Sequence, residues 1–184
     1  MYFEPFNDKA LTVIVSEMLV ASADSSDVLL DDTVERVLHM LRERLGMDAV
    51  FVSEFVAGRR HVRFVDRNDI APPMAVGDSV ELEATFCKRV VEGRLPEVIA
   101  DVRPLLRDIL PEEAAAQTRM GSHLSTPVMM NDGSVFGTLC CFSTEPNPAI
   151  REQDLTTLRH CARLVARKLE LTGSNGFAPP AAGR

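Results

Sequence analysis

The sequence has 184 residues, of which 46% are hydrophobic, 26% charged and 5% aromatic. This length suits one domain, and the apolar fraction excludes a chain that is disordered throughout. The sequence contains no run of about 18 apolar residues, which excludes a membrane-spanning helix and with it a membrane partner.

The net charge of −7 is concentrated at one end of the chain. Residues 1–35 hold eight acidic side chains and one lysine, and the remainder is neutral overall. This distribution argues against nucleic acid as a partner, because phosphate contacts need clustered lysine and arginine. We interpret the small basic group as a solvated hairpin tip. Its members are Arg59, Arg60, His61 and Arg63.

The start of the chain lacks the pattern of a secretory signal peptide, so we expect a cytoplasmic protein. The four cysteines show no Cys-x-x-Cys spacing and therefore predict reduced thiols and no metal site. They are Cys87, Cys140, Cys141 and Cys161.

The first half of the sequence predicts two helices and then a change to strands. One helix covers residues 7–20, and a second ends near Leu45. Residues 48–56 and 61–66 predict the two strands of a hairpin, with Gly58 in its loop. The apolar face of the second helix carries Val34, Leu38, Leu41 and Leu45.

The middle of the sequence predicts short elements. A strand around 79–83 precedes a helix from about Ala84 to Glu92. Another short strand covers Val98–Ala100, and a partly helical segment follows over 101–119.

The clearest hairpin comes next, with strands over 123–130 and 135–143. Asp132-Gly133 between them favours a tight turn that needs a positive φ. Both strands are apolar on both faces, so we expect them to be central and covered on both sides. A last helix is predicted over 149–171.

This order of elements predicts an α+β domain. We expect an antiparallel sheet of five or six strands, with the terminal helices on one face and a helical insertion over the other. The predicted organisation is an N-terminal helix and linker over 1–27, the domain over 28–171, and a flexible tail over 172–184.

Four passages of the sequence resemble the GAF domain family. They are Thr85–Lys88, Leu95–Asp101, Gly121–Val128 and Asp132–Phe142, the last of which contains Gly-Thr-Leu-Cys. The wording is most similar to GAF modules found beside cyclic-di-GMP signalling domains. The resemblance covers residues 28–171 and implies a GAF/PAS-like fold.

The resemblance also implies a function. It indicates a non-enzymatic sensory module of bacterial signal transduction that binds a small molecule or responds to redox state. The implied partners are an unknown small-molecule ligand and a signalling output protein. The sequence identifies no cofactor.

The ligand is expected between the sheet and residues 67–119. Phe64 and Phe86 would form apolar walls, and Asp101, Ser125 and Thr138 would fix polar groups. The rest of the predicted ligand-binding set is Cys87, His123 and Cys140.

Cys87 lies near the start of its short predicted helix. Such a position lowers a thiol pKa and suits a redox sensor, a chromophore anchor or a nucleophile. The alternative is a small buried hydrophobe, which is the usual state of a free cysteine.

A thiol enzyme is a second hypothesis. The sequence around Cys87 resembles free methionine-R-sulfoxide reductases, which resolve their chemistry with further cysteines. Residues 101–127 contain no cysteine, and Cys140 and Cys141 are expected to lie too deep to act as a resolving thiol. The expectation is therefore that the protein is not an enzyme.

The sequence matches only weakly the features expected of GAF domains that bind bilin or haem. Asp69-Ile70-Ala71-Pro72 departs from the motif of bilin-binding domains. His123 is the histidine placed to reach a pocket as a haem ligand, although a hydrogen-bonded structural role is the simpler interpretation.

The terminal helix bears on assembly. Its apolar residues are spaced as in a coiled-coil seam, and a single stripe facing the core is the alternative. The resemblance implies a homodimer through the first and last helices, and a ligand-free dimerisation domain is the third hypothesis. The seam residues are Leu155, Leu158, Ala162, Val165 and Leu169.

Overall fold

A computed structural model describes residues 28–109 and 119–171. The described helices are α1 (Val28–Leu45), α2 (Phe86–Val91), α3 (Leu106–Ile109) and α4 (Glu152–Leu171). The strands are β1 (Ala49–Val56), β2 (Arg59–Arg67), β3 (Ser79–Glu81), β4 (Val98–Ile99), β5 (Ser122–Met129) and β6 (Val135–Ser143). The helix predicted over 7–20 and the tail from 172 lie outside the described residues.

The six strands form one antiparallel sheet in the order β3-β2-β1-β6-β5-β4. The predicted α+β fold class is confirmed, and β6 is central as its two apolar faces indicated. The predicted turn is also present, with Gly133 at a φ of 83°.

Gly137 allows the two central strands to pair. A Cβ at this position would lie 1.9 Å from the carbonyl oxygen of Ser53 on β1. A side chain there would push β1 and β6 apart, so the glycine of the Gly-Thr-Leu-Cys passage serves the fold.

One face of the sheet packs against α1 and α4, and we call it the helix face. The predicted apolar face of α1 is buried there, together with Val50, Leu124, Leu139 and Cys141 of the sheet. All five residues of the predicted α4 seam are also buried in this core. The interpretation of the seam as a stripe facing the core is therefore confirmed, and these residues are already covered within one chain.

The other face is covered by α2 and the chain around it, and we call it the cavity face. Its buried cluster includes Phe51, Val62, Cys87, Cys140 and Phe142. None of the helices in the described part of the chain is long and apolar enough to cross a membrane.

The interpretation of the basic group as a solvated hairpin tip is wrong for Arg60, whose Nε is buried, and for Arg63, whose side chain is buried. β3 pairs with Arg59, Arg60 and His61, so the group lies within the sheet. Arg63 is buried and its Nε donates to Glu54 Oε2 at 2.6 Å.

Candidate functional site

A cavity of about 340 Å³ lies on the cavity face of the sheet. Most of its wall is apolar, and three basic side chains interrupt that wall: Arg60, Arg119 and His123. The other lining residues are Phe51, Pro72, Met74, Val80, Ala84, Thr85, Phe86, Cys87, Met120 and Phe142.

The short helix α2 brings Cys87 to this cavity. Thr85 caps the helix, since its Oγ1 accepts a hydrogen bond from the backbone N–H of Lys88 at 3.2 Å. The helix buries Phe86, Cys87 and Val90. The cap therefore fixes the first turn with its thiol facing the sheet.

Cys87 meets a second thiol from the centre of the sheet. Its Sγ lies 3.0 Å from Cys140 Sγ, and both side chains are buried. Cys140 Sγ is 3.2 Å from Ser125 Oγ and 3.0 Å from Thr138 Oγ1. Thr138 Oγ1 in turn lies 2.9 Å from Ser53 Oγ.

These groups share one face because side chains alternate along a strand. Ser125 pairs with Cys140, and Ser53 pairs with Thr138, in the ladders that join β5, β6 and β1. The result is a row of hydroxyl and thiol groups beneath the cavity.

His123 completes the cluster. It is 1% exposed, and its ring centroid lies 5.4 Å from that of Phe86. Its Nδ1 is buried without a hydrogen-bond partner in the described part of the chain. A buried polar atom left in this state costs about 1–3 kcal/mol, so an unpartnered nitrogen indicates a site that serves something beyond packing.

Cys87, His123 and Cys140 could also hold a soft metal ion. Their ligand atoms all lie within 4.8 Å of one another. Thiolate and imidazole are ligands that zinc prefers. No metal spacing is visible in the sequence because these residues come from α2, β5 and β6, far apart along the chain.

The two thiols of the pair differ in acidity. Hydrogen bonds from Cys140 and His123 and the positive charge of Arg60 outweigh burial, so the pKa of Cys87 lies well below its usual value. Burial and the neighbouring Cys87 raise the pKa of Cys140 well above its usual value. Of the two thiols, Cys87 is therefore the more acidic.

Arg60 was missed by the sequence analysis as a residue of this site. Its guanidinium carbon lies 5.1 Å from the centroid of the Phe51 ring. Its Nε is buried without a hydrogen-bond partner among the described residues. Strand alternation was the available signal, because Arg60 has the same parity as the apolar Val62.

Six of the eight predicted ligand-binding residues come together at this site. Phe86, Cys87 and His123 line the cavity. Ser125, Thr138 and Cys140 lie beneath it.

Phe64 requires a correction, because it packs in the helix-face core. Between Val52 and Ser53 the ladder changes from a Val52–Phe64 pair to a Ser53–Val62 pair, which leaves Arg63 as the extra residue of a β-bulge. The bulge turns Phe64 away from the face that Val62 occupies.

Asp101 does not line the cavity. Its carboxylate instead accepts hydrogen bonds from the Arg103 backbone N–H and guanidinium, at 3.1 and 2.8 Å. This local turn occupies the side chain that was expected to hold a ligand.

Cys140 was expected to lie too deep to act as a resolving thiol, yet its sulfur contacts that of Cys87. Both side chains are almost completely buried, at 2% exposure for Cys87 and 0% for Cys140. α2 lies directly on the sheet, so the two sulfurs are at the same depth.

The similarity of this chain to known proteins concerns its family and its fold. The family model of the GAF domain matches residues 29–169. A curated relative is the diguanylate cyclase DgcP of Escherichia coli strain K12, 26% identical over 141 residues. The match covers 71% of this chain and 38% of the relative.

Solved structures show the same fold. The GAF domain of an Acinetobacter phosphoenolpyruvate-protein phosphotransferase matches with a TM-score of 0.71 at 16% identity, over 95% of this chain and 99% of the other. A free methionine-R-sulfoxide reductase from Neisseria meningitidis, solved with its substrate, matches with a TM-score of 0.65 at 16% identity. That match covers 94% of this chain and 96% of the reductase.

Proposed function

Since this chain belongs to the GAF domain family, we propose that it is a non-enzymatic sensory module of bacterial signal transduction. GAF domains are generally regulatory modules that bind small molecules. The signal would pass to an output protein or domain, as the likeness to part of a diguanylate cyclase suggests. The chain spans 38% of that relative, so cyclase activity is not carried over to it.

The lining of the cavity favours a ligand that is anionic at one end and apolar at the other. Arg60 and His123 each present a buried nitrogen without a partner in the described part of the chain. The described lining residues include three basic side chains and no acidic one. A carboxylate or phosphate would satisfy these donors, and an aromatic or aliphatic body would contact the apolar wall.

The size of the cavity agrees with this class. Ligand pockets of proteins usually enclose about 300–1,000 Å³, so 340 Å³ suits a small metabolite. The unpartnered basic nitrogens at an apolar cavity are the observation that carries the proposal.

Native mass spectrometry and an absorption spectrum of freshly purified protein test the proposal first. We expect extra mass from a co-purified anion, or a rise in Tm with benzoate or phenyl phosphate. A ligand at 100 times its Kd stabilises the folded state by about 2.7 kcal/mol.

Two matched variants identify the binding residue. Arg60→Met should lose the extra mass or the rise in Tm. Arg59→Met should keep it, because Arg59 pairs with Ser79 and Glu81 and does not line the cavity. No co-purified ligand, together with no rise in Tm for either probe, would contradict the proposal.

The thiol-enzyme hypothesis gains one observation. Cys140, which was expected to lie too deep to act as a resolving thiol, has its sulfur 3.0 Å from that of Cys87. The thiol-enzyme hypothesis predicts that the protein turns over free methionine-R-sulfoxide and that Cys87→Ser loses this activity. A wild-type protein without the activity excludes the hypothesis.

Homodimerisation and a cytoplasmic location remain predictions. The α4 seam is buried within one chain, so a dimer would need other residues, such as Leu171, which is 71% exposed. Light scattering with size-exclusion chromatography tests the dimer, and a monomer at all concentrations contradicts it. The third hypothesis, a ligand-free dimerisation domain, expects a filled pocket, and the 340 Å³ cavity disfavours it.

A further inference from the structure

The four cysteines of the chain divide into two pairs with different surroundings. Cys141 and Cys161 lie in the apolar helix-face core. Cys87 and Cys140 lie on the cavity face, among hydroxyl and basic groups. The second pair has three features of a reactive thiol site.

The first feature is contact between the sulfurs. Cys87 Sγ and Cys140 Sγ are 3.0 Å apart, so a bond between them requires only a small movement of the side chains. The second feature is access, because Cys87 lines the cavity while Cys140 lies behind it.

The third feature is the asymmetry of the pair. Arg60 and His123 line the cavity beside Cys87, whereas Cys140 contacts Ser125 and Thr138 beneath it. A thiol that faces the cavity beside basic groups and a second thiol behind it suit the roles of attacking and resolving sulfur.

We propose that Cys87 and Cys140 form a thiol-oxidation site, at which a small hydroperoxide oxidises Cys87 and Cys140 then closes a reversible disulfide. This site shares the cavity with the proposed anion-binding function, but disulfide formation does not depend on that function.

The chemistry balances in two steps. The Cys87 thiolate attacks one oxygen of the hydroperoxide, the O–O bond breaks, and the leaving oxygen takes a proton from water to become an alcohol or water. Cys87 is then a sulfenic acid. The Cys140 sulfur next attacks the Cys87 sulfur, the S–O bond breaks, and the hydroxyl leaves with the Cys140 proton as water. One hydroperoxide is reduced and two thiols are oxidised.

The test uses the full chain treated with hydrogen peroxide, followed by intact mass and peptide mapping under non-reducing conditions. We expect a loss of about 2 Da and one intramolecular disulfide between Cys87 and Cys140, both reversed by dithiothreitol. This wild-type measurement does not depend on the folding of any variant.

Variants then separate the two roles. Cys140→Ala should abolish the disulfide and leave a Cys87 sulfenic acid that dimedone traps. Cys87→Ala should lose both products. Cys141→Ala is the matched control on the same strand, and it should behave like the wild type.

Three results would overturn the proposal. One is a wild-type protein that forms no disulfide under peroxide. Another is a disulfide or overoxidation that involves Cys141 or Cys161 equally. The third is purified protein that carries zinc in native mass spectra and loses it in Cys140→Ala, because the pair would then be a metal site.

Discussion

The two faces of the sheet use the same strands for different purposes. On the helix face, α1 and α4 cover an apolar core that includes Leu38, Leu41 and Leu158, each with no exposed surface. On the cavity face, α2 covers a row of thiol and hydroxyl groups and leaves a cavity of about 340 Å³. The fold is held mainly by the first face, and the candidate site occupies the second.

Cys140 and Cys141 show the contrast most directly. They are neighbours on β6, and both are completely buried. Burial raises the pKa of each, yet Cys140 contacts Cys87, Ser125 and Thr138, whereas Cys141 lies in the apolar cluster. A thiol buried among apolar side chains is unreactive. Polar neighbours on the cavity face are what can make Cys140 reactive.

The largest expected effect is on the helix face. Leu158→Ala should lower the free energy of unfolding by about 2–5 kcal/mol, because it leaves a cavity among side chains that are themselves fully buried. Urea titration measures this change. Leu171→Ala, on the same helix but exposed, should change stability by less than about 0.5 kcal/mol. If the two variants lowered the free energy of unfolding equally, the helix face would not be the main core of the protein.

The second prediction concerns the pH dependence of the helix face. Burial raises the pKa of Cys161 to about 11. A thiol whose pKa is higher in the folded state stabilises that state below its unfolded value near 9, and the contribution is lost as the pH rises towards 11. Two pKa units correspond to about 2.7 kcal/mol.

Urea titrations at several pH values between 8 and 11 provide the measurement. The stability of Cys161→Ala should fall less steeply over this range than that of the wild type. Cys87→Ala is the contrasting variant. The pKa of Cys87 is lowered in the folded state, so the contribution of this thiol to stability is present at high pH and is lost as the pH falls. Parallel curves for Cys161→Ala and the wild type would show that burial does not hold the Cys161 proton.

The third prediction concerns the cavity face. His123→Leu removes a buried ring whose Nδ1 lacks a partner in the described part of the chain. The same change should slow alkylation of Cys87 by iodoacetamide at pH 7 several-fold, because His123 no longer stabilises the thiolate.

His160→Leu on α4 is the control and should leave the alkylation rate unchanged. A less stable His123→Leu protein that keeps a fully reactive Cys87 would mean that the histidine is a structural residue.

Sequence patterns predicted the elements better than the site. The strands and α4 follow from periodicity and turn residues, and they lie within a few residues of their predicted ends. The sequence gives no sign of the bulge at Arg63, which turns Phe64 to the helix face. Strand parity could have placed Arg60 beside Val62, but a basic run favoured interpretation as a solvated tip.

The thiol pair could not be predicted for another reason. Cys87 and Cys140 are 53 residues apart, and their contact depends on how closely α2 lies on β6. Local patterns define neither that distance nor the resulting pKa values, since both arise from tertiary packing.

The smallest expected effect tests whether the hydroxyl row serves stability or chemistry. Ser125→Ala removes a hydroxyl 3.2 Å from Cys140 Sγ, and it should lower the free energy of unfolding by only about 0.5–1.5 kcal/mol, the usual net value of one hydrogen bond. Thr138 Oγ1 remains 3.0 Å from Cys140 Sγ, so Cys140 keeps one hydroxyl partner. Burial raises the pKa of Cys140, and the hydrogen bond with Ser125 partly offsets that rise. The variant should therefore also slow the closure of the disulfide after peroxide, measured as a longer lifetime of the dimedone-reactive intermediate. Thr126→Ala removes the hydroxyl of the next residue, which points to the opposite face, and should leave that lifetime unchanged. If both variants lengthen the lifetime equally, then general loosening of β5, rather than the hydroxyl row of the cavity face, controls the resolving thiol.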